Sequence, residues 1–148
     1  MLNRVILRGY VADEPFIRAT EGGKFVRIRM ITIEKIRLQK TGGIRRHTEW
    51  HTISLWGKEA ETADQTIRPG AAIEVEGTLR SREWQDKDGI THRTTEISAN
   101  KLKILDSIDG YDIPDFIMKI ISSKRNSSNP PQVLEVKKPI EDADNLPF

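Results

Sequence analysis

The 148-residue sequence contains no cysteine. That absence removes disulfide staples, thiol nucleophiles and cysteine-ligated zinc or iron–sulfur centres. No apolar stretch approaches the ~20 residues a membrane helix needs. The opening residues, Met1–Tyr10, lack the apolar core of a secretion signal. A soluble cytoplasmic protein with no membrane contact is therefore expected. No serine sits in a G-x-S-x-G elbow, and Thr41-Gly42-Gly43-Ile44 lacks the Gly-Lys-Ser/Thr ending of a phosphate loop. His47-Thr48-Glu49-Trp50-His51 only superficially resembles a zinc-protease helix, because the glutamate is third rather than second and the segment reads as strand. A buried or interface role for His51 explains that residue better than ligation. The turn carboxylates Asp13-Glu14 and Asp86/Asp88 show no pairing pattern. Neither catalysis, metal nor cofactor is expected.

An excess of one charge is also missing, since the formal net charge is only +2. The small figure conceals a division. Residues 1–105 carry 19 basic and 14 acidic side chains, net +5, whereas residues 106–148 carry 5 and 8, net −3. A basic body joined to an acidic tail suits a polyanion-binding domain attached to a segment with another task.

What is present reads as strands. Leu2–Val11 is rich in strand formers and runs into the turn signal Asp13-Glu14-Pro15, with Gly9 marking a bulge or sharp bend. Glu21-Gly22-Gly23 makes a turn into Lys24–Glu34, where Val26, Ile28 and Met30 share one face and Arg27 and Arg29 the other. Lys35–His47, rich in lysine and arginine, reads as a long loop or flexible hairpin. Thr48–Trp56 alternates His51, Ile53 and Leu55 with Trp50, Thr52, Ser54 and Trp56. Lys58–Ile67 has helical spacing of Ala60, Ala63 and Ile67, and Arg68-Pro69-Gly70 stops it. Ala72–Trp84 places Ile73, Val75, Gly77 and Leu79 inward, and Ile90–Leu105 follows the turn at Gln85–Gly89. The class is all-β. Five strands with one short helix between the third and fourth is the order of an OB-fold, a Greek-key barrel. The division expected is a barrel over 1–105, a linker over 106–140 containing a short helix at 114–123, and an acidic tip over 141–148, the tail being flexible.

The tryptophans carry most of the functional signal. Trp50 and Trp56 share a strand face with Thr52 and Ser54, and Trp84 continues the outward phase of Thr78, Arg80 and Arg82. Rings interleaved with arginine and small polar residues match single-stranded nucleic acid, which needs flat surfaces for bases and cations for phosphates. Arg27, Arg29, Arg80 and Arg82 are the candidate phosphate partners.

Thr48-Glu49-Trp50-His51, Leu55-Trp56-Gly57-Lys58 and Glu76–Trp84 resemble, in order and spacing, the core of the bacterial single-stranded-DNA-binding protein family. Asn3–Gly9 is similar to that family's first strand and Arg93–Ile97 to its last. The resemblance implies an OB-fold homotetramer that wraps single-stranded DNA, with bases stacked at Trp50, Trp56 and Trp84 and with His51 near a subunit interface. A fourth family ring would fall at Ile36, which removes one stacking platform. Asp142-Ala143-Asp144-Asn145-Leu146-Pro147-Phe148 is similar to the family's terminal tip, and this implies docking of replication, recombination and repair proteins through Asp142, Asp144, Leu146, Pro147 and Phe148. A nucleoid-associated place in the cytoplasm follows from the same resemblance. An alternative reading keeps the OB-fold but makes it a primosome or recombination accessory that mainly binds proteins.

Overall fold

Strand β1 (Val5–Val11) is held on both sides, and this closes the structure. In the computed structural model, which describes residues 1–126, β1 pairs with β5 (Ala72–Gln85) from Val5↔Gly77 to Tyr10↔Ala72. At its far end it turns onto β3 (Gly23–Arg37), with Tyr10 opposite Ile31 and Val11 opposite Met30. The ring continues through β6 (Thr91–Leu105) and β4 (Ile44–Trp56), giving a closed five-stranded OB-fold barrel. A sixth strand, β2 (Phe16–Thr20), takes up the edge of β3 where β1 leaves it. Sequence alone shows five strands because β2 is short and almost wholly exposed, so no buried face imprints a period on it.

Gly9 is required where β1 crosses β3. A Cβ there would lie 1.9 Å from the carbonyl oxygen of Ile31. The irregularity in the sheet falls elsewhere, between Glu76 and Gly77, where Asn100 of β6 is left without a partner. Gly77 meets the same constraint as Gly9, since its Cβ would lie 2.1 Å from the carbonyl oxygen of Ser98. Beyond this point β5 and β6 leave the barrel as a long arm. Leu79, expected inward, keeps the inner phase opposite Ile97 but projects past the end of the barrel and is half-exposed.

The core follows from alternation. Val26, Ile28 and Met30 of β3, Ile53 and Leu55 of β4, and Ile73 and Val75 of β5 are fully buried together. Each such side chain contributes roughly 1.5–3 kcal/mol by leaving water. Helix α1 (Gly57–Thr66) lays Ala60 and Ala63 against that core, and Ile67, also buried, follows its last turn. Lys24 Nζ bonds Asp64 Oδ2 at 2.6 Å and fastens α1 to the start of β3. The stretch read as loop or hairpin between Lys35 and His47 is a regular antiparallel hairpin, paired as far as Arg37↔Ile44 and turning over residues 38–43.

Outside the barrel lies a second apolar cluster. Tyr10, Ala12, Ile31 and Ala72 are buried there under Ile117 of helix α2 (Asp115–Asn126). Pro114 precedes that helix and its carbonyl accepts from the amides of Ile117 and Met118.

Gly9→Ala is expected to cost about 3 kcal/mol, the upper end of ordinary overpacking, because the obstacle is backbone. Gly22→Ala, with open space around its Cβ, is expected to stay within about 0.5 kcal/mol. Urea unfolding of both variants checks this, and equal midpoints would refute the crossing constraint.

Candidate nucleic-acid interface

Residues paired across a sheet share a face, so the register decides which side chains can act together. Arg27 of β3 pairs with Ser54 of β4, Ser54 with Ser98 of β6, and Ser98 with Thr78 of β5. This row joins the outward faces of four strands. By alternation the face carries Phe25, Arg27, Arg29 and Ile31 on β3 and Trp50, Thr52, Ser54 and Trp56 on β4. On the other side it carries His92, Thr94 and Glu96 on β6 and Arg80, Arg82 and Trp84 on β5. Arg18 of β2, opposite Phe25, extends it. The three tryptophans and the four arginines singled out from sequence therefore lie on one continuous surface.

The rings are not equivalent. Trp56 is 51% exposed and rests on Phe25, with ring centroids 4.5 Å apart. The Phe25 ring is in turn flanked by the guanidinium groups of Arg18 at 5.3 Å and Arg27 at 5.2 Å. Trp84, 46% exposed, stacks on its cross-strand partner His92 at 4.4 Å and 20°. His92 is itself held, because Nε2 lies 2.7 Å from Asp86 Oδ2. Asp86 also accepts from the amides of Asp88 and Ile90, which closes the turn at the tip of the arm. The hydrogen bond with His92, then that from Ile90, holds the Asp86 carboxyl below its usual range. Trp50 is half-buried, with the Arg29 guanidinium 4.7 Å above its ring and Phe116 of α2 at 5.6 Å.

The cations differ as well. Arg29 also meets Asp13 at 3.1 Å, so its charge is partly answered within the chain. Among the described residues, Arg27 Nε, Ser54 Oγ and Glu96 Oε2 are buried without a hydrogen-bond partner. All three sit on this face, Arg27 directly opposite Ser54. Unsatisfied buried polar atoms are costly and their clustering calls for an explanation.

Ile36 and His51 lie off this surface. Ile36 is exposed on the β3–β4 arm opposite Arg45, in the phase of Ile28 rather than of Arg27. His51 is half-buried in the inner phase, opposite Met30, with Nε2 2.8 Å from Thr32 Oγ1. His47 Nε2 lies 2.9 Å from Glu49 Oε1, and no three ligands of a metal gather among the described residues. Asp142, Asp144, Leu146, Pro147 and Phe148 fall outside the described residues. Phe25, Arg18 and His92 were missed as members of the face. Phe25 was legible as the residue two before Arg27, whereas the ring beneath Trp84 needed the pairing register.

Comparison with known proteins places this geometry. The model of the Single-strand binding protein family matches residues 2–105. A Plasmodium falciparum SSB solved in complex with ssDNA is 29% identical, with a TM-score of 0.65 over 72% of this chain and 97% of that one. A deletion mutant of the single-stranded DNA binding protein from Thermus aquaticus is 28% identical, with a TM-score of 0.62 over 72% of this chain and 51% of that one. A small single-stranded DNA-binding protein from Streptomyces coelicolor is 21% identical, with a TM-score of 0.58 over 72% and 97%, and shares the fold.

Burial pushes the His51 imidazole below its ordinary value of 6.5, against a smaller opposing pull from Glu49. The unfolded chain then takes up the proton more readily than the folded one. Stability from the neutral ring is complete above pH 6.5 and is lost as pH falls below it. The urea midpoint should therefore drop between pH 7.5 and about 5.5, and less so in His51→Gln. Equal pH slopes for both proteins would contradict the assignment.

Proposed function

The chain belongs to the single-strand binding protein family, and on that premise we propose that it binds single-stranded DNA with little regard to sequence. The observation that carries this reading is the continuous outward face on which three tryptophans alternate with arginines. Every base has a π-face, so stacking does not discriminate strongly between sequences. Trp56 and Trp84 each rest on a second ring. A base arriving on them therefore finds a platform that is already immobilised, and less entropy is lost on binding.

Phosphates are neutralised by Arg27, Arg80 and Arg82, with Arg18 beside them at the β2 edge. Arg29, engaged with Asp13 and lying over Trp50, acts more through holding that ring than through phosphate. Nothing in this scheme makes or breaks a covalent bond, so the protein works as a binding protein rather than an enzyme.

The wider role rests on the family resemblance. It comprises a homotetramer with His51 near a subunit contact, protection of exposed strands, and recruitment of replication, recombination and repair proteins by the acidic tip Asp142–Phe148. The site of action would be the nucleoid. A tip of this kind can seat Phe148 in an apolar pocket while Asp142 and Asp144 meet basic residues at its rim.

Oligo-dT titration tests the binding mode. Trp56→Ala should weaken binding by about 1–3 kcal/mol, the worth of one stacked base. Affinity should fall steeply with salt, each neutralised phosphate adding ~0.7 to the log–log slope. Salt-independent or unmeasurably weak binding would favour the protein-binding accessory instead. Deleting residues 146–148 should abolish recruitment of replication, recombination and repair proteins while leaving oligo-dT affinity equal or slightly higher. A loss of DNA affinity would overturn that division of labour.

A further inference from the structure

The family match stops at residue 105, yet the chain beyond it is fastened to the barrel. The buried Tyr10 hydroxyl donates to the carbonyl of Tyr111 at 2.7 Å, and the Lys35 ammonium lies 4.6 Å from the Tyr111 ring centre. Ile117 is fully buried, and Ile121 closes over Gly70 so tightly that a Cβ there would lie 2.7 Å from its Cδ1. These contacts fix the position of α2. They bring Phe116, 39% exposed, against Trp50.

Trp50 is thereby occupied. The Arg29 guanidinium lies over its ring, and Phe116 packs against it at 5.6 Å and 32°. A base between two rings needs about 7 Å, twice the roughly 3.4 Å rise of stacked bases, so none fits between these two. The other two aromatic positions on the face show one arrangement: an exposed ring resting on a backing ring, Trp56 on Phe25 and Trp84 on His92. In the third pair the two members differ in the same way, with Trp50 half-buried and Phe116 outermost.

We propose that α2 is part of the single-strand path and that Phe116, backed by Trp50, presents the base-stacking ring at this end of the face. This rests on the single-stranded-DNA reading above and deepens it. Phe116 carries no charge, so its contribution should leave the salt slope unchanged while altering affinity.

The test compares the full chain with Phe116→Leu, Phe116→Trp and Trp56→Ala, using labelled oligo-dT at several salt concentrations. Leucine keeps apolar volume over Trp50 but removes the ring, so the fold is retained and a thermal melt verifies it. Phe116→Leu should bind about tenfold more weakly, within what one stacked base is worth, at the parental salt slope. Phe116→Trp should restore binding. Unchanged affinity in Phe116→Leu would reduce the residue to a buttress, and increased affinity would make α2 a cover over Trp50; either overturns the proposal. If Trp56→Ala also leaves affinity intact, the single-stranded-DNA reading itself fails. A Trp56→Ala defect beside a silent Phe116→Leu refutes only the role of α2.

Discussion

Strand β1 reaches two neighbours at once, and everything on the candidate face depends on that crossing. A strand that pairs with β5 and then with β3 must pass over the backbone of Ile31 at a distance that admits only a hydrogen on Gly9. Closure removes the free edges that an open sheet would expose. It also forces the alternating residues of β3, β4, β5 and β6 into an inside and an outside. Ile28, Ile53 and Val75 fill the interior, and the opposite phase is left as one uninterrupted outer surface.

That outer surface is built in couples. Each exposed ring is steadied by a neighbour, and the neighbours come from different distances along the chain: Phe25 across a hairpin, His92 across the arm, Trp50 from beneath a helix more than sixty residues later. Edge-to-face and offset ring pairs contribute about 0.5–1.5 kcal/mol beyond burial. That is enough to hold a side chain in one orientation without hiding it. Flanking guanidinium groups add cation–π attraction and bring positive charge next to the rings.

Charge is partitioned with similar economy. Arg4, just before β1, and Arg8 on β1 are answered by Glu76 and Glu74 on β5 at 2.8 and 2.7 Å, so these cations add little net field. Such exposed pairs contribute only about 0–1 kcal/mol to stability. The acidic character of the last third begins at Asp106.

Much of this was legible beforehand because alternation is a local property. The phase of Trp50 against Ile53, of Arg27 against Ile28, and of Trp84 with Arg82 follows from the two-residue period of a strand, and α1 follows from Ala60, Ala63 and Ile67. Leu79 was misjudged because its phase is local while its burial depends on where the barrel ends. β2 escaped notice because no core face marks it. The sequence by itself determined the inward and outward sets along each long strand and the residue types of the candidate face, since these need only neighbours along the chain. Tertiary structure alone decided which ring backs which, why Gly9 tolerates no side chain, that Arg29 is shared between Asp13 and Trp50, and that Phe116 lies on Trp50. Each of these is set by contacts between residues far apart in sequence, and no periodicity encodes such distances.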